Sequence, residues 1–194
     1  MPSVERIMAY FTAVWGMMTT RPRAVQDLDL SADGFWESFW AIAAALPPLF
    51  VGWAAYGKLM EMQTGMPRMT LFAAAGLMDL SAWILPLAGF VLVAGKAGIG
   101  DRMVHYVVSA NWGSALLAWL TWPPQLLRLL MPESSSAVVS FDIALFVLSL
   151  VLTWRLTNAA LSKGPTVATT VYVTVLAASF AIVFLIQGLV LPSA

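Results

Sequence analysis

The sequence predicts an all-α membrane protein, a bundle of five transmembrane helices preceded by an N-terminal amphipathic interfacial helix. Hydrophobic residues make up 60% of the 194-residue chain and charged residues 10%, against roughly 45–50% and about 25% in soluble globular proteins. Five apolar segments also reach the length of about 20 residues that a helix needs to cross a bilayer. The excess apolar surface therefore requires lipid as its solvent.

Charge and cysteine content exclude several classes of function. Ten basic residues balance ten acidic ones, so the chain lacks the positive charge typical of nucleic-acid binding. It has no cysteine and one histidine, which excludes disulfides and thiolate chemistry and nearly excludes imidazole metal sites. We therefore predict no nucleic-acid partner, no metal site and no cofactor.

Residues 1–33 are predicted to form an amphipathic helix followed by a cytoplasmic linker. The helix is too polar to span and suits the interface plane, although the same stripe could instead pack on the bundle. Trp15, with Arg21 and Arg23 of the RPR segment, is predicted to anchor it to the membrane surface. The stripe recurs at spacings of three and four and comprises Val4, Ile7, Met8, Phe11, Val14, Trp15 and Met18.

The rest of the chain, residues 34–194, is predicted to be the transmembrane domain. Pro47 and Pro48 interrupt the first span, and because a proline frees backbone carbonyls that neighbouring helices must satisfy, a kink is expected there. The third span carries the chain's only histidine and an amide, so it is expected to face protein. Serines in the turn at 132–136 could cap the next helix. The predicted spans are 34–56, 70–94, 103–127, 138–158 and 167–191.

The distribution of basic residues predicts the orientation. Five spans place the termini on opposite sides, and cytoplasmic loops are enriched in Lys and Arg. The N-terminal side therefore faces the cytoplasm, and the C-terminus is non-cytoplasmic, most simply in a bacterial inner membrane. One side holds Arg6, Arg21, Arg23, Lys96, Arg102, Arg155 and Lys163, and the other holds Lys58, Arg68 and Arg128.

Asp79 is the sharpest candidate for a functional residue. It lies about nine residues into the second predicted span, where a carboxylate costs at least about 2.5–3.5 kcal/mol unless it is paired, hydrated or protonated. Such residues mark proton or ion paths. The alternative is a hydrogen-bonded carboxyl that joins two helices.

The other candidate polar residues favour structural roles. His105 lies near the cytoplasmic end of the third span, where a histidine needs no special purpose, whereas Asn111 lies deeper and is expected to bond across a helix interface. Arg155 can extend toward water, and Arg128 and Asp142 are close enough for an ion pair. HExxH, nucleophile-elbow and phosphate-loop motifs are missing from the sequence, so no catalytic residue is predicted and the chain is not expected to be an enzyme.

Several motifs resemble those of one family. TTRPRAV after the amphipathic helix, DGFWESFWAIAAALPP at the first span, YVVSANW in the third and LVLTWRLTNAAL in the fourth resemble the bacterial branch of the Yip family, five-span proteins named for interaction with Ypt and Rab GTPases. The resemblance covers most of the chain and implies five helices with a cytoplasmic N-terminus. It supplies no catalytic residue. Because the long cytoplasmic N-terminal region of the eukaryotic members is missing here, their trafficking role does not transfer.

Two hypotheses about function follow. The first is a non-enzymatic membrane adaptor or scaffold that acts through helix packing with other membrane proteins or through self-association in the lipid bilayer. The second is a small oligomeric transporter or channel that uses Asp79, with prolines in three consecutive spans breaking helices around a cavity. The two differ in whether Asp79 lines a water-accessible cavity or is sealed between helices.

Overall fold

The structure is a computed structural model that describes residues 2–130 and 136–190. Over these two ranges the chain is helical and contains no strand, which confirms the predicted all-α class. Two short 3-10 helices, Pro22–Asp27 and Gly100–Arg102, accompany the α-helices. The α-helices are α1 (Val4–Met18), α2 (Ala32–Glu37), α3 (Trp40–Thr64), α4 (Arg68–Ala94), α5 (Met103–Leu120), α6 (Trp122–Leu130), α7 (Ser136–Leu161) and α8 (Pro165–Val190).

Four helical segments of the described chain are long and apolar enough to cross a membrane. They comprise α2 and α3 together, α4, the apolar part of α7, and α8. Large apolar side chains cover the outside of α7 and α8, including Phe146 and Phe184, the latter 68% exposed. A surface of this kind needs lipid around it. The fold is therefore consistent with an integral membrane protein.

The third predicted span, 103–127, is not one continuous helix. α5 ends at Leu120, where the Thr121 hydroxyl donates to the Leu117 carbonyl at 3.0 Å, and α6 starts at Trp122. Pro123 and Pro124 favour the start of a new helix here, because proline is tolerated in a first turn, where amides need no intrahelical partner. The 18-residue α5 is not among the four candidate spans, while α6 continues in the same direction along α3 and packs against it.

α5 is the central helix of the bundle. It packs against α1, α3 and α7, and Tyr106, Val107, Val108 and Trp112 are almost completely buried. The expectation that this segment faces protein is confirmed. Protein neighbours can satisfy polar side chains such as that of Asn111, which lipid cannot.

α1 is a helix, as predicted, but it packs on the bundle instead of lying free of it. The face turned into the core includes Tyr10, Val14 and Met17, and Val14 is completely buried. Val4, at 76% exposed, and Trp15 remain outside. The residues of the predicted apolar stripe are thus divided between the bundle and the exposed surface of the protein. This happens because the small and sulfur-containing residues that lie between the stripe residues fit the groove beside α5.

The predicted linker before residue 34 is structured. Its 3-10 helix, Pro22–Asp27, buries Ala24 and Val25 against the core, and the Ser31 hydroxyl accepts from the Gly34 amide to cap α2. Proline and glycine do mark turns here, but apolar residues between them dock the segment on the bundle.

The first span is also displaced from its predicted bounds of 34–56. α2 ends at Glu37, and α3 continues to Thr64, because residues 57–64 are mostly good helix formers. Gly65, with φ of 69°, then ends the helix in the left-handed conformation that glycine adopts easily. The predicted end of the last span, Leu191, and most of the predicted turn at 132–136 lie outside the described residues.

α3 continues through its two prolines because a neighbouring helix satisfies the backbone. Pro48 has no amide hydrogen to donate to the Ala44 carbonyl, four residues earlier. The indole Nε1 of Trp119 on α5 donates to that carbonyl at 3.0 Å. The carbonyl that Pro48 leaves free thus forms a hydrogen-bonded contact between α3 and α5. The sequence analysis predicted that a neighbouring helix must satisfy such a carbonyl.

α4 shows the same arrangement at Pro86. The carbonyl that this proline leaves without its helical donor belongs to Ala82. Ser179 Oγ on α8 donates to the Ala82 carbonyl at 2.9 Å. A side chain from a neighbouring helix again replaces the missing amide.

Candidate functional site

A cavity of about 860 Å³ opens in one half of the bundle. We call this half the outer half, because it contains the α3–α4 connection that the charge distribution predicts to be non-cytoplasmic; the opposite half is the inner half. Apolar side chains such as Leu49, Met62 and Val183 line much of the outer cavity. Its polar lining residues are Tyr56, Lys58, Gln63, Asp79, Thr121, Gln125, Arg128 and Gln187.

Asp79 lies on the wall of this cavity, near the middle of α4. Trp53 on α3 donates its indole Nε1 hydrogen to Asp79 Oδ2 at 2.7 Å. Trp53 itself is 5% exposed and packs edge-on against Phe72, with ring centroids 5.6 Å apart. Asp79 remains exposed on the cavity side. Since a carboxylate can accept about four hydrogen bonds, this one keeps acceptor capacity for whatever occupies the cavity.

The two basic residues of the outer cavity are already engaged with other groups. Lys58 Nζ donates to the Leu129 carbonyl at 2.7 Å, near the end of α6. Arg128 forms an ion pair with Asp142, the pair that the sequence allowed. Among the described residues, Asp79 has no basic partner within ion-pair distance. Among these residues an ionised Asp79 would therefore lack an ionic partner, as Lys58 does, whose bonded group is a neutral carbonyl.

Tyr56 adds a second polar group without a protein partner. Its hydroxyl is buried and makes no hydrogen bond within residues 2–130 and 136–190, and the residue lines the outer cavity one turn of α3 from Trp53. Buried polar groups are nearly always hydrogen-bonded in folded proteins.

Asn111 is fully bonded to protein and lies away from the outer cavity. Trp83 Nε1 on α4 donates to Asn111 Oδ1 at 3.0 Å, and Asn111 Nδ2 donates to Ser38 Oγ at 2.9 Å. Ser38 Oγ in turn donates to the Phe35 carbonyl at 2.7 Å. Asn111 and Ser38 are completely buried, and the network joins α4, α5 and the α2–α3 connection, so its geometry is that of a structural joint.

Arg155 is exposed, as expected of a side chain that extends toward water, and it also docks α1. Its Nε donates to the Met18 carbonyl at 2.6 Å, and a second guanidinium nitrogen donates to the Thr19 carbonyl. These carbonyls lie at the C-terminal end of α1, where helical carbonyls lack amide partners and a positive charge is favourable. Arg155 therefore fixes the end of α1 against α7.

The remaining predicted residues are not brought together. His105 is half-buried on the first turn of α5, and its Nδ1 makes no hydrogen bond within the described chain. Trp15 is 45% exposed, and Arg21 and Arg23 are also exposed at the protein surface. No group of three His, Cys, Asp or Glu residues that could hold a metal ion occurs in the part of the chain that the structure describes.

Ion pairs join the connections of the inner half. Arg6 contacts Asp29 at 2.7 Å and Glu37 at 2.9 Å, which ties α1 to α2. The pKa of the Asp29 carboxyl is lowered, chiefly because the Ser31 hydroxyl and amide donate to it and secondarily because Arg6 is close. Lys163 lies 2.9 Å from Asp101 and likewise lowers the pKa of that carboxyl. The α4–α5 and α7–α8 connections therefore lie at the same end of the bundle.

Sequence reasoning identified Asp79 but missed Trp53 and Tyr56. An intramembrane tryptophan or tyrosine must find a partner for its polar atom, which is the one signal that could have drawn attention to them. No family model matches the chain, and comparisons with curated proteins and with solved structures find no match.

Proposed function

We propose that the protein is a small membrane transporter or channel in which Asp79 binds a proton or a small cation inside the outer cavity. The observation that supports this most is the position of Asp79, which faces the cavity instead of being sealed between helices. An intramembrane carboxylate is costly and is typically found where ions or protons pass.

The surroundings of Asp79 support a positive occupant next to it. Arg128 is paired with Asp142 and Lys58 is directed to the Leu129 carbonyl, whereas Asp79 receives only a neutral donor from Trp53. In a low-dielectric site the attraction between an unpaired carboxylate and a cation is several times stronger than in water. Binding a proton or cation thus removes the cost of an unpaired charge.

The residues that line the outer cavity further restrict the kind of molecule or ion that it can bind. Apolar residues such as Leu49 and Met78 alternate with the rings of Trp53 and Tyr56, and aromatic faces also attract cations. The cavity therefore suits a proton, or a small organic cation with an apolar body, better than an anion.

The adaptor hypothesis is the second candidate, and the Trp53–Asp79 hydrogen bond favours it. This bond links α3 to α4, as expected if Asp79 holds helices together. A scaffold of this kind would act through lipid-exposed helix faces toward other membrane proteins or further copies of itself. The two functions differ in what Asp79→Asn does, because asparagine keeps the hydrogen bond but cannot exchange a proton near neutral pH.

Reconstitution of the full chain into liposomes separates the two candidates. We expect a proton gradient to drive flux, read by a trapped pH-sensitive dye, and we expect Asp79→Asn to abolish that flux while the melting temperature in detergent stays unchanged. Asp27→Asn is the matched control, because that carboxylate is exposed and does not line the outer cavity. Flux that is absent from the wild type, or that persists in Asp79→Asn, would contradict the transporter proposal.

The orientation and family remain part of this proposal. We take α5 as a fifth, protein-enclosed crossing, the N-terminus as cytoplasmic in a bacterial inner membrane, and the chain as Yip-like, with Trp15, Arg21 and Arg23 against the inner lipid surface. A topology reporter fused after Ala194 should then read as non-cytoplasmic and one at the N-terminus as cytoplasmic. Finding both reporters on the same side of the membrane would exclude a chain that crosses it five times.

A further inference from the structure

A second, smaller cavity lies in the inner half of the bundle. Its volume is about 150 Å³, and α4, α5, α7 and α8 enclose it. A cavity of this size and polarity can hold several water molecules, which need two to four polar partners each. The polar side chains that line the inner cavity are mostly hydroxyls, namely those of Tyr106, Ser114, Thr153, Thr157, Tyr172 and Ser179, together with Trp83.

The two cavities are stacked end to end along the same three helices. On α5, Ala118 lines the outer cavity and Ser114, one turn earlier, lines the inner cavity. One helical turn advances about 5.4 Å, so only a thin layer of protein separates the two spaces. The corresponding pairs are Asp79 and Ala82 on α4 and Val183 and Ser179 on α8.

A single hydrogen bond crosses this layer from α4 to α8. Ser179 Oγ donates to the Ala82 carbonyl at 2.9 Å. Both residues line the inner cavity, and on its own helix each is the inner-cavity residue that lies nearest to the outer cavity. Because Pro86 removes the amide that would otherwise bond the Ala82 carbonyl, this carbonyl depends on Ser179 or on water. The bond can therefore be exchanged for water at little cost.

We propose that the outer and inner cavities are two halves of one hydrated path for protons or small cations across the bilayer, closed between them by the Ser179–Ala82 hydrogen bond. This rests on the proposed transport function, since Asp79 would be the binding group at the inner end of the outer cavity. Hydroxyls and water in the inner cavity would continue the path toward the opposite side. Breaks in transmembrane helices that expose carbonyls are suited to such sites.

The absence of cysteine from the sequence allows a direct test with single substitutions. Ser114→Cys and Ala118→Cys place a thiol one turn apart on α5, on opposite sides of the proposed barrier. A membrane-impermeant thiol reagent is added from one side at a time to proteoliposomes of uniform orientation. Since only the thiolate reacts, labelling reports contact with water. Phe184→Cys, on the exposed apolar face of α8, is the lipid-facing control.

We expect opposite accessibility at the two positions. Ala118→Cys should react from the side onto which the outer cavity opens, Ser114→Cys from the other side only, and Phe184→Cys from neither. Adding Ser179→Ala should increase the reaction of Ser114→Cys from the outer side about two- to tenfold, the shift in population that loss of one hydrogen bond produces. Ser179→Thr keeps a hydroxyl and should leave the barrier closed.

Three results would overturn the inference. They are labelling of Ser114→Cys from the outer side in the otherwise unchanged chain, labelling from neither side, and no effect of Ser179→Ala in a protein whose melting temperature shows that it is folded. The proposed function fails separately, through the flux of Asp79→Asn. Flux that needs Asp79 while Ser114→Cys is unreactive from both sides would keep the transport proposal and remove the inner path.

Discussion

The surroundings of Asn111 and those of Asp79 show two ways in which a membrane bundle holds a polar side chain. Asn111 is 0% exposed, and both its oxygen and its nitrogen bond to protein groups. Within the described residues Asp79 has one bond, from Trp53, and it otherwise lines a cavity. A polar group saturated by protein contributes to folding, whereas one that keeps free acceptor capacity is available to a ligand.

The largest expected effect in this comparison is that of Asn111→Leu. Leucine has nearly the same size but leaves the indole nitrogen of Trp83 without its acceptor and the completely buried Ser38 hydroxyl without the donor from Asn111. An unsatisfied buried polar group costs about 1–3 kcal/mol, so we expect a loss of about 2–3 kcal/mol in the free energy of unfolding in detergent, measured by chemical denaturation.

Asn158→Leu is the matched control for this prediction. Asn158 is a half-buried amide near the end of α7, outside the Asn111 network, and its replacement should change stability by less than about 0.5 kcal/mol. Equal losses for the two variants would show that Asn111 is not a special joint.

An intermediate effect is expected where a tryptophan satisfies a carbonyl freed by proline. Trp119→Phe removes the donor to the Ala44 carbonyl and should cost about 1 kcal/mol of stability beyond the small loss of ring area. In a Pro48→Ala background the helix regains its own donor, so the cost of Trp119→Phe should fall. A double-mutant cycle measures this coupling, and strictly additive costs would contradict the proposed compensation.

The same substitution at the outer cavity should have the smallest effect. Trp53→Phe removes the one donor to Asp79 among residues 2–130 and 136–190, but water in the cavity can replace it, so we expect a loss of stability below about 1 kcal/mol. If Asp79 were instead sealed from water, breaking its single bond would leave a buried carboxylate unsatisfied, at about 3 kcal/mol or more. Comparing the thermal unfolding of the Trp53→Phe variant with that of the Trp83→Phe variant distinguishes these two cases.

The sequence predicted those parts of the fold that depend on local chemistry. The all-α class follows from composition, the need to satisfy carbonyls near Pro48 follows from the geometry of proline, and the unusual character of Asp79 follows from its depth in an apolar segment. Each of these requires knowledge of one segment only.

The features that sequence reasoning missed depend on which helices meet. The break at Thr121 depends on how α6 packs along α3, and the packing of α1 depends on a groove beside Trp112 that no single segment reveals. The Trp53–Asp79 bond joins residues 26 positions apart on different helices. Without contacts between helices, the periodicity of α1 fitted a membrane surface as well as it fitted the bundle.

The central claim is that Asp79 is an accessible carboxyl in a water-filled cavity open to one side. Side-specific treatment of oriented proteoliposomes with a membrane-impermeant carbodiimide and an amine tests it most directly, with modified residues located by mass spectrometry. We predict modification of Asp79 only from the side that also modifies Glu61, on the last turns of α3, together with loss of proton flux. If Glu61 is modified but Asp79 stays unmodified whichever side the reagent is added to, the claim is contradicted and the adaptor function is favoured.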